Sequence, residues 1–369
     1  MIWVAWRQFR TQALVTLGVL VPFAVLVLVT GVHLRDVYNS VGGRACGARN
    51  NCLALTDYDK PMQDLLGPAL IAIPALLGMF WGAPLLAREL ESGTYRLAWT
   101  QSVTRRRWLS VRIALVGVAA LAVAGLASWL VSWWFAPLDA VNLNRFAPSV
   151  FTARGIVAVG YAGFAFALGV ACGALTRRTL PALVATLLGF VSARIAFTLW
   201  VRPHLLPTKE VVDSTMLGKG VEFLPKLVSA VAAPPPIPNA WMVSAALVDR
   251  ARHALTIAQL HDLLLRTCPT VTAGVAQNGA PSLRCQVALS HQVRQLVTYQ
   301  PPSHYWPLQA LETGIFLAAA FALIGATVWR VGRRAGRKSA VAELRERTSD
   351  SLAMVVTTEI RMPSLTERK

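Results

Sequence analysis

Acidic residues are scarce in this chain. Asp and Glu total 18 in 369 residues against 36 Lys and Arg, a formal net charge of +18, and charged residues make up only 15%. Soluble domains carry about 25% charged residues, so the shortage argues against an ordinary cytosolic enzyme. An apolar share of 55% and a mean hydropathy of +0.50 exclude a disordered tail or a collagen. Five cysteines at this length exclude a disulfide-dense mini-domain. The six histidines (His33, His204, His253, His261, His291, His304) form no His-Glu-x-x-His pattern, and no metal site is expected. Gly332-Arg333-Arg334-Ala335-Gly336-Arg337-Lys338-Ser339 approaches a phosphate-binding loop, but no Gly precedes the Lys and no strand precedes the segment. The chain is read as non-enzymatic and without a cofactor, so any ATP hydrolysis must come from a separate chain. Its basic excess fits either a nucleic-acid partner or a membrane protein with basic inner loops.

The distribution of apolar residues decides for the membrane. Six runs have the length of a membrane helix: residues 11–34, 65–87, 113–138, 155–176, 179–201 and a sixth within 309–330. A span needs roughly 20 apolar residues. The first run is longer than a signal core of about 7–15 residues, and no small-residue cleavage site precedes Arg35, so it is read as a retained helix. The expected fold is all-α, a polytopic protein of six transmembrane helices with a helical extracytoplasmic insertion before the last.

Basic residues set the expected orientation. With the amino terminus inside, the inner flanks hold fifteen, from Arg7 and Arg10 through Arg88–Arg112, Arg177 and Arg178 to Arg330–Lys338. The short outer loops hold six: Arg35, Arg44, Arg49, Lys60, Arg145 and Arg154. Both termini are therefore placed in the cytoplasm. The charge is an orientation signal, and no nucleic-acid partner is needed to explain it. Trp129, Trp133, Trp134, Trp200, Trp306 and Trp329 fall at span ends, where an amphipathic ring suits the headgroup layer.

The pieces between the spans are few. Residues 1–10 suit a short helix in the inner interface. Residues 202–308 form the one large extramembrane region. Within it the Pro-rich stretch 231–238 reads as extended, residues 243–252 and 256–266 carry helical apolar spacing, and 287–297 is a further amphipathic candidate. Cys46 with Cys52 and Cys268 with Cys285 fall on the outer side, where local disulfides can form. Other pairings and free thiols remain open, and Cys172 lies in a span. Residues 331–369 read as a basic inner helix and a flexible tail. Gly160, Gly163, Gly169 and Gly173 suit close helix packing.

The loop 88–112, between the second and third spans, carries the most information. It holds two acids among its arginines, Glu89 and Glu91, followed by Gly93-Thr94, Leu97 and Thr104-Arg105. Gly93 and Thr94 can end one helix and cap the next. Topology alone calls for the arginines but not for the acidic pair. In this pattern, and in the six-span layout with a long insertion before the last span, the chain resembles the permease subunits of ATP-binding-cassette (ABC) exporters of the type-2 export class. Trp-Arg-Gln-Phe-Arg near the start and Leu-Ala-Trp-Thr-Gln in the loop look like an actinobacterial branch of such permeases. The resemblance covers most of the chain by layout and this loop by motif. It implies that Glu89, Glu91, Gly93, Thr94, Leu97, Thr104 and Arg105 couple the chain to a cytosolic ABC ATPase. It also implies a homodimer or a pairing with a related permease in the plasma membrane, exporting a drug, a peptide or a lipid-like molecule.

One cation lies inside a span. Arg194 is expected to pair with Glu312, line a substrate path, bind an anionic headgroup or snorkel outward to the interface. An alternative from another class is a membrane sensor or scaffold whose extracytoplasmic cap binds a ligand.

Overall fold

The computed structural model describes residues 2–40, 60–92, 105–140, 145–146, 148–213, 240–267 and 292–359. Among them, six helices are long and apolar enough to cross a membrane. The first is α1 (Ile2–Ser40). The second is α2 (Lys60–Leu77) joined to α3 (Ala83–Ser92) through a π-helical turn, Gly78–Gly82. The third is α4 (Arg105–Ala140), and after the short α5 (Pro148–Ala153) the fourth is α6 (Val157–Thr176). The fifth is α7 (Thr179–Ala196), extended by a π-helical turn and a 3-10 turn to His204. The sixth is α9 (Tyr305–Glu359).

Two helices run past their expected limits. Residues 2–10 continue into α1 without a break, and α9 carries on through residues 331–359 as one helix. Pro22, Pro68, Pro74 and Pro137 lie inside span helices; in membrane bundles neighbouring helices tolerate such breaks.

The fourth span is the centre of the bundle. Its sequence, Val157-Ala-Val-Gly-Tyr-Ala-Gly-Phe-Ala-Phe-Ala-Leu-Gly, is rich in small residues, and it packs against the second, third, fifth and sixth spans. Small residues let backbones approach, which is what drives helix association where lipid is already apolar. The contact with the second span is the closest. A Cβ on Gly78 would lie 2.5 Å from the Ala165 carbonyl oxygen, and one on Gly82 would lie 2.5 Å from that of Phe166. Gly169 meets the same turn from the other side, and Gly173 meets the Ala83 and Ala87 backbone of α3. The packing role expected of these two glycines, and of Gly160 against the Thr313 backbone, is thus visible in contact detail.

Three apolar clusters surround this centre. Trp81, Leu86, Ile113, Val116 and Phe166 join the second, third and fourth spans. Val27, Leu34, Leu66, Val131, Trp134 and Leu138 join the first three. Tyr161, Phe190, Phe197 and Phe316 join the last three. Leu14, Val15, Val19 and Val29 of α1 are exposed, as befits a helix whose outer face meets hydrocarbon.

The region between the fifth and sixth spans corrects the helical expectation. It contains α8 (Ile257–Thr267) but also a three-stranded antiparallel sheet. Its strands are β1 (Lys209–Asp213), β2 (Trp241–Val248) and β3 (Arg294–Gln300), in the order β1-β3-β2. Lys209 faces Tyr299, Val211 faces Val297 and Val248 faces Arg294, with an irregularity between Met242 and Ser244. The predicted helix over 243–252 falls largely on β2, and the candidate over 287–297 runs into β3. The reason is periodicity: from Arg294 to Tyr299 burial alternates, with Gln295, Val297 and Tyr299 buried, before the strand ends on the buried Gln300. Gln300 ties the sheet to the bundle by donating from Nε2 to the Leu206 carbonyl at 2.9 Å.

Candidate functional site

The strongest concentration of polar chemistry in the bundle is built on Glu312. It stands about 10 Å along α9 from Tyr305, and it is fully buried. Three groups from two spans converge there. Arg202 donates from Nε to Oε2 at 3.0 Å and from Nη2 to Oε1 at 2.8 Å. Tyr161 of α6 donates its hydroxyl to Oε1 and accepts from Arg202 Nη2 at 3.1 Å. Arg194 of α7 reaches Oε1 at 3.4 Å and stacks over the Tyr161 ring, 3.6 Å from its centroid. Phe151 lies beneath Arg202 at 4.7 Å.

Local sequence explains the convergence. Arg194 and Arg202 are eight residues apart on the fifth span, and the π-helical turn at Phe197–Val201 lies between them. Phe197 packs on Phe316 at 4.9 Å, and Phe316 stands edge-on to Tyr161 at 5.0 Å. Glu312 and Phe316 are one turn apart on α9, so one helix face presents both the acid and the ring below it. The expected pairing of Arg194 with Glu312 is present. Arg202 and Tyr161 were not foreseen: Arg202 reads in the sequence as the flank of a span, and Tyr161 as one aromatic among many.

The charges do not cancel. Two guanidiniums face one carboxylate, and among the described residues no second acid joins the cluster. A nearby knot has the same arithmetic. Asp139 at the end of α4 is held by Arg154, through Nη1 at 3.0 Å and Nη2, and by Arg145 at 3.3 Å. Gln309 stitches these parts together. Its Oε1 accepts from Val157 N–H at 2.9 Å, and its Nε2 donates to the Phe151 and Arg154 carbonyls at 3.0 and 3.1 Å. Gly155, at φ +72°, makes the turn that brings those groups round.

At the opposite end of the bundle the acidic pair is engaged inside the chain. Glu89 pairs with Arg112 of α4. Glu91 accepts from the Thr179 N–H at 3.0 Å and from its hydroxyl at 2.7 Å. It thereby caps the first turn of α7, where unpaired N–H groups and the helix dipole favour an anion. The turn feeding that helix has Arg177 in the left-handed region at φ +56°, its N–H bonded to the Gly173 carbonyl. One short element, α3, is thus tied to both the third and the fifth spans.

Of the other predicted residues, Arg105 opens α4, while Gly93, Thr94, Leu97 and Thr104 lie outside the described residues. So do Cys46, Cys52, Cys268 and Cys285; Cys172 is a free thiol in α6. Among the described residues no three His, Cys, Asp or Glu side chains gather as a metal cluster.

A family model described as ABC-2 membrane transporter related matches residues 17–202, half of the chain. The match takes in the first five spans and ends at Arg202. No curated protein and no solved structure matches the chain.

Proposed function

We propose that this chain, which belongs to the ABC-2 membrane transporter related family, is the permease half of an exporter driven by a separate ATPase. It is a multi-pass membrane protein with a transporter permease role, and its family implies association with an ATPase. The finer reading places it in the plasma membrane with both termini in the cytoplasm. There it pairs as a homodimer or with a related permease and exports a drug, a peptide or a lipid-like molecule.

The observation that carries the coupling role is the double anchorage of α3. Glu89 holds α4 and Glu91 holds α7, so a push on the segment that follows α3 would reach two spans at once. In this reading Glu89 and Glu91 are positioning residues. The ATPase surface is supplied by Gly93, Thr94, Leu97, Thr104 and Arg105. The fifth span then relays the motion to the Glu312 cluster through Arg194 and Arg202.

The test is a mild-detergent pull-down of the tagged chain, with mass spectrometry of bound proteins and a vanadate-sensitive ATPase assay. Replacing residues 93–104 with a Gly-Ser linker of equal length should leave a monodisperse chain that no longer retains the ATPase. Full retention by that variant, or no ATPase bound to the intact chain, would overturn the reading.

A further inference from the structure

The Glu312 cluster holds one more positive charge than negative, at membrane depth. A lone net charge there is costly and calls for a counter-ion. The two arginines are not equivalent. Arg202 meets Glu312 with two hydrogen bonds of 3.0 and 2.8 Å and is almost fully buried. That pair is already neutral. Arg194 makes the longer contact of 3.4 Å, lies flat on Tyr161, and has a side chain 11% exposed. The surplus charge therefore resides on Arg194, the less deeply buried of the two arginines.

The outer surface around it is apolar. On α7 its neighbours Leu188, Val191, Ile195 and Leu199 are exposed, and on α9 Leu311 and Ile315, next to Glu312 along the helix, are exposed. Both helices pack on α6, and their backbones are not closely packed against each other. Phe197 and Phe316 bridge the two helices from within, so Arg194 lies at a seam whose outer surface, on both the fifth and sixth spans, is apolar. Arg194 sits about 15 Å along the helix from His204. That depth is too great for aqueous ions to neutralise it freely, so its counter-charge has to come from a partner within the membrane.

We propose that Arg194 binds the phosphate oxyanion of an anionic amphiphile whose chains lie along the exposed apolar faces of α7 and α9. A guanidinium presents paired donors that match a phosphate, and Tyr161 holds its plane fixed, so little rotamer freedom is lost on binding. The inference does not depend on the chain coupling to an ATPase.

The full-length chain, purified in a neutral detergent, is titrated with phosphatidylglycerol, phosphatidylcholine and inorganic phosphate. Binding is read by native mass spectrometry and by thermal stability. The intact chain should retain phosphatidylglycerol in preference to phosphatidylcholine, and Arg194→Gln should weaken that retention by about tenfold or more, the loss expected for one charge-assisted hydrogen-bonded contact. Arg194-dependent binding of inorganic phosphate as well would support the oxyanion site and identify a soluble anion as a second source. Equal retention by the two proteins, or none by the intact chain, would overturn the proposal. A photoactivatable phosphatidylglycerol on the unaltered chain gives a readout that needs no variant. Adducts should fall on residues 188–199 and 311–316, and adducts confined to other faces would also overturn it.

Discussion

Arg202 grips Glu312 with one edge of its guanidinium, Nε to Oε2 at 3.0 Å and Nη2 to Oε1 at 2.8 Å. This locks the end of the fifth span to the sixth. Arg194 shares the same carboxylate from one side, and this makes the three residues unequal in a measurable way. Removing Glu312 leaves two buried cations. Removing Arg202 leaves a neutral Arg194–Glu312 pair, and removing Arg194 leaves a neutral Arg202–Glu312 pair. Breaking a buried ion pair by deleting one partner costs about 3–5 kcal/mol. Glu312→Ala should therefore be the most destabilising of the three, Arg202→Gln intermediate and Arg194→Gln the mildest, as read by thermal melting in detergent. A flat ranking would mean that the charge balance described for this cluster is wrong.

How much of this was legible follows from the range of the interactions. The six spans are written locally, as uninterrupted apolar runs, and they appear where the composition puts them. Arg194 and Glu312 were legible as a pair because each is an ionisable group in or beside a span. Arg202, followed by Pro203, reads as the end of the fifth span. Only the π-helical turn at Phe197–Val201 and the Phe197–Phe316 contact show that its side chain turns back to Glu312. The sheet was misread for a related reason. β1 pairs with β3 across more than eighty residues of sequence, Lys209 opposite Tyr299, and no short window of hydrophobic spacing reports such a partner. The Thr179 cap on Glu91 is equally non-local: an acid in a basic loop gives no sign of which helix start it will meet.

Gly82 tests the close approach of the second and fourth spans. A Cβ there would meet the Phe166 carbonyl oxygen at 2.5 Å and Gly169 Cα at 3.2 Å, both backbone atoms that cannot swing aside. Gly82→Ala should cost about 1–3 kcal/mol, as overpacking typically does, and lower the melting temperature. Gly314→Ala and Gly325→Ala are the controls, since nothing lies within 4 Å of their built Cβ atoms. They should be neutral or slightly stabilising, because Ala is the better helix former. A loss as large in the controls as in Gly82→Ala would rule out backbone contact as the cause.

Gln309 supports three backbone groups at once. Gln309→Leu would fill the same volume but orphan the Val157 N–H and the Phe151 and Arg154 carbonyls. Each buried orphan costs about 1–3 kcal/mol, so the total should reach at least about 3 kcal/mol. Gln309→Glu separates the two kinds of bond. A carboxylate can still accept from Val157 N–H but cannot donate to the carbonyls, so it too should destabilise the chain. If Gln309→Glu melted like the unaltered protein, the two donated bonds would contribute nothing.

Glu91 and Thr179 give the most direct test of how the loop end of the bundle is wired. The carboxylate takes both the N–H and the hydroxyl of Thr179, the first residue of α7. Without it, the opening N–H groups of that helix have only water, and the favourable interaction of an anion with the helix dipole is lost. Glu91→Gln keeps an acceptor oxygen but removes the charge; Glu91→Ala removes both. Hydrogen exchange followed by mass spectrometry should show the first turn of α7 exchanging faster in Glu91→Ala. Glu91→Gln should fall between that variant and the unaltered chain. Peptides from the first twenty residues of α9 should be unchanged in both, because the Glu312 cluster lies far along the fifth span. Thr179→Val removes only the hydroxyl donor and should give a smaller effect than Glu91→Ala. Unaltered exchange in Glu91→Ala would mean that α7 starts without this cap. The polar tie from α3 to the fifth span would then be absent, leaving the Glu89–Arg112 pair and the packing of Ala83 and Ala87 against Ala182 to connect the loop to the bundle.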